Sequence, residues 1–225
     1  MLNSNTRNLI FKDFRISLHP SVYVFFLLAP AMLFIPNYLR AIGFFYILIG
    51  LMNMFTLDLQ YKDKEFCGLL PVKKNECVKA RVFSVCILEI GLMLLSVPFA
   101  FLAQKYVHSV SNVPNNAGMN INVCMYAIML LGYAVTNVIL IPAGYRKHFR
   151  AFLRGFISMF AFMLVAGSLE QVVCRIQDGK FFLNGVSFGE NLRQLPFLAG
   201  AIVIYALVNL YTYYVSAKSF EKADI

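Results

Sequence analysis

The sequence predicts an all-α, polytopic membrane protein with six transmembrane helices, and three observations predict it. Hydrophobic residues make up 60% of the chain and charged residues only 14%, against roughly 45–50% and about 25% in soluble domains. Mean hydropathy is +0.68. The apolar residues fall into six blocks, and 225 residues hold about six spans of roughly 20 residues with little left over. A single membrane domain over residues 1–225 is therefore expected, with no internal repeat.

Residues 1–20 carry Arg7, Lys12 and Arg15 among Leu9, Ile10, Phe11, Phe14 and Leu18. Ile10, Phe14 and Leu18 recur at i, i+4, i+8, the spacing of a helix lying in the headgroup layer with its apolar side down. Asp13 in the would-be basic region, with no small-residue cleavage site after it, argues against a cleaved signal peptide. The spans follow at about Ser21–Pro36, Ala41–Leu59, Val82–Ala103, Ile121–Ile141, Ala151–Cys174 and Pro196–Ser216. The first is short and is expected to kink at Pro30, and Pro98 to act similarly in the third.

Between the second and third spans, Asp58 to Arg81 carries Lys62, Lys64, Lys73, Lys74, Lys79 and Arg81, with Phe66, Leu69, Leu70 and Val72 among them. A loop that served topology alone would need the charges but not the apolar cluster. The segment 60–81 is read as a docking element facing the cytoplasm. Pro71 fixes its own φ and makes Leu70 extended, so a short helix from about Lys62 should end before it and a second helix should begin at it. That second helix runs into the third span and would carry displacement of the loop into the membrane.

Orientation follows from Lys and Arg. With the N-terminus inside, 15 of the 20 fall on the cytoplasmic side; Arg40, Lys105, Arg175, Lys180 and Arg193 fall outside. Both termini are expected in the cytoplasm. The net charge of +9 then reads as a topology signal, and no soluble basic fold remains to bind nucleic acid. Of the outer loops, Gln104–Asn120 is turn-rich. Arg175–Gln194 contains Asp178-Gly179 and Asn184-Gly185, which suits a small hairpin or a re-entrant cap.

Five cysteines, an odd number, argue against a disulfide framework. Cys67 and Cys77 have no Cys or His at zinc spacing, so no metal site is expected. Cys124 and Cys174 fall near the outer ends of neighbouring spans, where pairing and simple burial both stand open. There is no G-x-x-x-x-G-K-[ST], H-E-x-x-H or G-x-S-x-G. His19, His108 and His148 are scattered, and Glu170 and Arg175 lie at an outer end instead of at depth. The chain is expected to have no catalytic residue and no cofactor of its own.

Glu89 lies eight residues after Arg81, roughly 12 Å along a helix, and so inside the hydrocarbon. A carboxyl there is a functional-site candidate, or else structural glue kept protonated or hydrogen-bonded. With Asn137 it forms the candidate intramembrane polar site, although Asn137 and Thr136 also suit interhelical hydrogen bonds. Asn53 and Asp58 are expected to cap and orient the docking loop. Phe152, Phe156, Phe160 and Phe162 in the fifth span read most simply as lipid-facing or packed, although soft aromatic walls would also suit a pore.

The run Leu70-Pro71-Val72-Lys73-Lys74-Asn75-Glu76-Cys77-Val78-Lys79-Ala80-Arg81, with Asp58 upstream and the start Lys12-Asp13-Phe14, resembles the six-span permease subunits of bacterial type-2 ABC exporters. It looks most like the small permeases of the phenol-soluble modulin exporter group. Order and spacing match over the whole chain, and Leu-Pro-Val-Lys-Lys is the distinctive part. The resemblance implies that residues 1–20 are the elbow helix and that 60–81 holds the coupling helix, with Glu65, Phe66, Leu69, Leu70, Pro71, Val72, Lys73 and Lys74 meeting the ATPase. The stretch before Leu-Pro is shorter here than is usual in that family.

The resemblance further implies a bacterial cell membrane and two ATPase subunits that bind ATP and Mg. It also implies a second permease copy, identical or paralogous, and a cargo of amphipathic or antimicrobial-type peptide. The alternatives are an immunity-type permease that removes toxins, and a non-transporting membrane scaffold or sensor for a cytoplasmic partner.

Overall fold

The computed structural model describes residues 4–36, 38–110, 118–146, 150–175 and 182–222, the side chains of 107–110 and 151 excepted. Every regular element among them is helical. Five helices are long and apolar enough to cross a membrane, and a bent pair makes up to six.

The bent pair is the N-terminal unit. Helix α1 (Ser4–Lys12) passes into a π turn, Asp13–Ser17, and the chain then bends by 89° into α2 (Ser21–Met32). The π turn, closed by Leu18 N–H on Asp13 O at 3.0 Å, adds a residue to the helical register. As a result the inward stripe is Thr6, Leu9, Asp13 and Ser17, whereas Phe11 and Ile16 are exposed. The expected apolar side is thus only half of the account: Ile10 and Phe14 pack against the core, but beside a buried carboxylate.

Pro30 does not kink a continuing helix. α2 ends two residues later, and the chain tightens into successive i→i+3 bonds at Leu33, Phe34 and Ile35. Arg40 explains how that end is satisfied: its guanidinium donates to Leu33 O at 3.1 Å and Ile35 O at 3.0 Å. At 12 residues, or about 18 Å, α2 is shorter than a hydrocarbon core of about 30 Å.

α3 spans Arg40–Gln60 and packs on α2, with Gly50 letting Val22 approach closely. A short helix α4 (Asp63–Leu69) leads to α5 (Lys74–Val110), which begins three residues after Pro71, not at it. The reason is local. Leu70 is extended with ψ 147°, and Val72 N–H bonds Leu70 O at 2.7 Å, so Pro71 sits in a γ-turn instead of a first helical turn.

α6 (Val123–Gly144) is the most deeply buried span. It lies against α9 (Phe188–Glu221) on one side and α7 (Ala151–Phe162) on the other. α7 continues through a π segment, Met163–Gly167, into α8 (Ser168–Arg175). Phe152, Phe156 and Phe160 are exposed, whereas Phe162 is buried against Gly132 and Tyr133.

α9 starts eight residues earlier than expected, with Pro196 inside it. Ser187 and Glu190 form a capping box there, which fixes the start by bonding the first free N–H groups. Among its described residues, Arg175–Gln194 contains this first turn and a 3-10 turn at Phe182–Asn184. Asp178-Gly179 falls outside the described residues. Asn184 instead ties two loops together, accepting from Asn120 N–H at 2.7 Å.

Candidate functional site

α4 is flanked by two non-helical joints. Before it, Lys62 takes the left-handed conformation with φ 52°, a geometry usually given to glycine. After it comes the γ-turn at Pro71. The helix turns Phe66 and Leu69 outward, 50% and 85% exposed, with Glu65 exposed beside them and Cys67 buried behind. Leu70 and Val72 pack against the core. The apolar cluster that reads as one patch in sequence is therefore split: Phe66 and Leu69 face out, Leu70 and Val72 face in. Pro71 and Lys73 are exposed, and Lys74 lies over the Phe220 ring, its Nζ 5.4 Å from the centroid.

Behind α4 lies a cluster of charges that joins Lys12 and Arg81, counted in sequence as topology signals, to Asp13, Asp63 and Asp58, the last of these expected to cap and orient the docking loop. Arg81 of α5 has a side chain only 5% exposed. Its Nη2 meets Asp13 at 3.2 Å and Asp63 at 3.2 Å, and its Nη1 lies 2.8 Å from Asp58. The Asp58 contact is off the hydrogen-bonding direction, a charge pair and not a directed bond. Lys12 Nζ donates to Asp63 at 2.5 Å. The Ser84 hydroxyl donates to Asp13 at 3.1 Å. Two cations thus face three carboxylates drawn from α1 with its π turn, α3 and α4. A cavity of about 20 Å³ beside them has room for about one water.

Burial pulls the Lys12 ammonium toward lower pKa, but the hydrogen bond and charge of Asp63 outweigh it, and the net shift is upward. Hydrogen bonding with Cys77, then burial, raises the Cys67 thiol. All five cysteines, Cys124 and Cys174 included, are free. Among the described residues no group of His, Cys, Asp and Glu is placed to hold a metal ion.

Glu89 is fully buried. Its Oε2 accepts from Asn137 Nδ2 at 2.9 Å and from the Tyr205 hydroxyl at 2.5 Å, and Asn137 also donates to Asn209 at 3.1 Å. Glu89 and Asn137 do meet, joining α5 to α6, and Tyr205 and Asn209 of α9 complete the group. Tyr205 also lines an apolar groove of about 640 Å³ between α5, α6 and α9, with Leu94, Val97, Tyr126, Leu195 and Ile202.

Elsewhere the structure reassigns polar residues. Asn53, expected to orient the docking loop, donates to Ser21 at 3.1 Å and so ties α3 to α2. Glu170 accepts from the N–H groups of Arg40 (2.7 Å), Ala41 (2.8 Å) and Met119 (3.2 Å). It thereby caps α3 from a distant helix.

A family model described as ABC-2 family transporter protein matches residues 8–221, from within α1 to the last residue of α9. The chain belongs to that family. The match takes in α4 and the whole charge cluster. No curated protein and no solved structure matches the chain. The permease is thus a multi-pass membrane subunit of an ABC transporter, a component normally not catalytic itself, and its family implies an ABC ATPase partner.

Asp13, Asp63 and Glu170 were missed as site or capping residues in the sequence reading. Asp13 alone left a signal, a carboxylate on the apolar side of an amphipathic helix.

Proposed function

We propose that the permease belongs to an exporter of amphipathic peptides, works as a pair with two ATPase chains, and receives its ATPase on the exposed face of α4. The carrying observation is that Phe66 and Leu69 stand out from a short helix between two spans, backed by a buried charge cluster. An outward apolar pair with a polar surround is the anatomy of an interface anchor, and truncation of such anchors typically costs about 1–3 kcal/mol or more.

The groove between α5, α6 and α9, apolar along its walls, supports an amphipathic cargo. Six spans leave too few walls for a peptide-sized path, which supports a permease pair. The bias of 15 basic residues against 5 supports a cytoplasmic placing of both termini and of α4.

The test is the double variant Phe66→Ala/Leu69→Ala. Neither side chain supports the core, so the permease should accumulate normally while ATPase affinity falls at least about tenfold. Wild-type affinity with normal export would make α4 a topology element only. Outside-only labelling of a cysteine placed at the exposed position 189 but not at the exposed position 73 checks the orientation.

A further inference from the structure

α4 is hinged at both ends. Lys62 in its left-handed conformation precedes it, and the γ-turn at Leu70–Val72 follows it. Neither joint continues the helical hydrogen-bond ladder, so a push on Phe66 and Leu69 would rock α4 on these joints if the backbone were the sole link. What opposes rocking is on the buried side. Asp63, the first residue of α4, is held by Lys12 at 2.5 Å and by Arg81 at 3.2 Å.

Arg81 sits on α5 beyond the Pro71 joint and spans it. The same guanidinium reaches Asp13 at 3.2 Å and Asp58 at 2.8 Å. Lys12 and Asp13 belong to the N-terminal unit, 51 residues from Asp63 in the case of Lys12, so the ion pair ties the docking helix directly to an element far from it in sequence. Ion pairs in so buried a place are stiff, because water neither screens them nor replaces them readily.

Resting on the reading of α4 as the ATPase-docking helix, we infer that Lys12, Asp13, Asp63 and Arg81 form a clasp through which α4 moves the N-terminal helix α1 together with α5. These are positioning residues: none lies on the outward face of α4, and their effect passes through its orientation. The N-terminal unit is then an output of the stroke and not a passive anchor. Because α1 turns by 89° into α2, motion of α1 along its axis swings the base of the first span.

The experiment uses the intact permease reconstituted in vesicles with the ABC ATPase that co-purifies with it, and a fluorescent amphipathic helical peptide as probe. Asp13→Asn and Lys12→Met are made singly and together. Each single variant should retain ATPase affinity within about twofold and continue to hydrolyse ATP, while peptide moved per ATP falls about tenfold. The double variant should fall no further than the worse single one, because both break the same linkage. Asp13→Glu and Lys12→Arg, which keep the charges, should restore peptide moved per ATP to within about threefold of wild type. They also stand in for any single variant that does not accumulate.

Wild-type transport per ATP in both single variants would overturn the clasp. So would a multiplicative loss in the double variant, or a loss of ATPase affinity in step with transport, which would make the cluster a support for the docking face alone. Failure of the wild-type permease to bind the ATPase through α4 would be a different result, removing the docking reading and the clasp with it.

Discussion

Arg81 and Glu89 stand eight residues apart on α5, both buried, and the two ends of that short stretch handle burial in opposite ways. Around Arg81, full charges answer full charges, with Asp13, Asp58 and Asp63 arriving from three other elements. Around Glu89, the partners are a neutral amide and a phenol from α6 and α9. Isolated ions are expensive to bury, and a pair recovers the loss only with good geometry and further hydrogen bonds. Near the end of a bundle such a set can be assembled from loops and short helices. At depth only neighbouring spans are within reach, and a single acid with uncharged donors is what they supply. The difference separates a charge-paired joint among short elements from an uncharged hydrogen-bonded link between spans.

The largest effect should come from Arg81→Met. It leaves Asp58 buried without its cation and Asp13 with Lys12 alone, 3.6 Å away, a change expected to cost about 3–5 kcal/mol. Accumulation in membranes and the thermal midpoint in detergent should both fall sharply. A mild result would mean that the carboxylates are already neutralised and that the charge cluster resembles the one at depth.

Next is Glu89→Ala, which strips partners from Tyr205 and Asn137 and should lower stability by about 1–3 kcal/mol. Glu89→Gln is the sharper probe. Glu89 Oε1 and Asn137 Oδ1 have no donor among the described residues, and a glutamine amide can supply one. Its stability should lie within about 1 kcal/mol of wild type. If Glu89→Gln instead abolishes transport while leaving the fold intact, the carboxyl itself is functional and the contrast with Arg81 fails.

Tyr205→Phe removes one donor to the same oxygen and should cost about 1 kcal/mol, with the Asn137 bond remaining. The smallest shift is expected at the joint before α4. Lys62→Gly relieves a left-handed conformation and should raise stability slightly, by about 1 kcal/mol or less, read as a small rise in thermal midpoint, while its pair with Glu65, 3.6 Å apart and exposed, contributes little.

Much of the fold was legible because the bilayer imposes simple rules on composition and length. The apolar blocks located α3, α6 and the α7–α8 unit to within a few residues at each end and fell inside α5 and α9, which run longer. Errors gathered at helix ends, where local chemistry decides. The capping box at Ser187 extended α9, the γ-turn at Pro71 delayed α5, and Arg40 closed off α2 after Pro30. Of the candidate site, the outward turn of Phe66 and Leu69 and the inward turn of Leu70 and Val72 were not legible, because alternation around a short helix and a turn cannot be read without knowing which side is covered.

The sequence by itself determined the helical class, the approximate spans, the short helix between two of them and the place of Glu89 within a span, since each depends on local periodicity or on composition. Only the tertiary structure decided that Arg81 is a hub, that Asp13 meets it with Ser84 from 71 residues away, and that Glu170 caps α3 across 130 residues. A charged residue carries no mark of its distant partner. Whether it faces water, orients a loop or binds four elements together depends on which side chains the packed helices bring within about 3 Å, and that is settled only when the bundle closes.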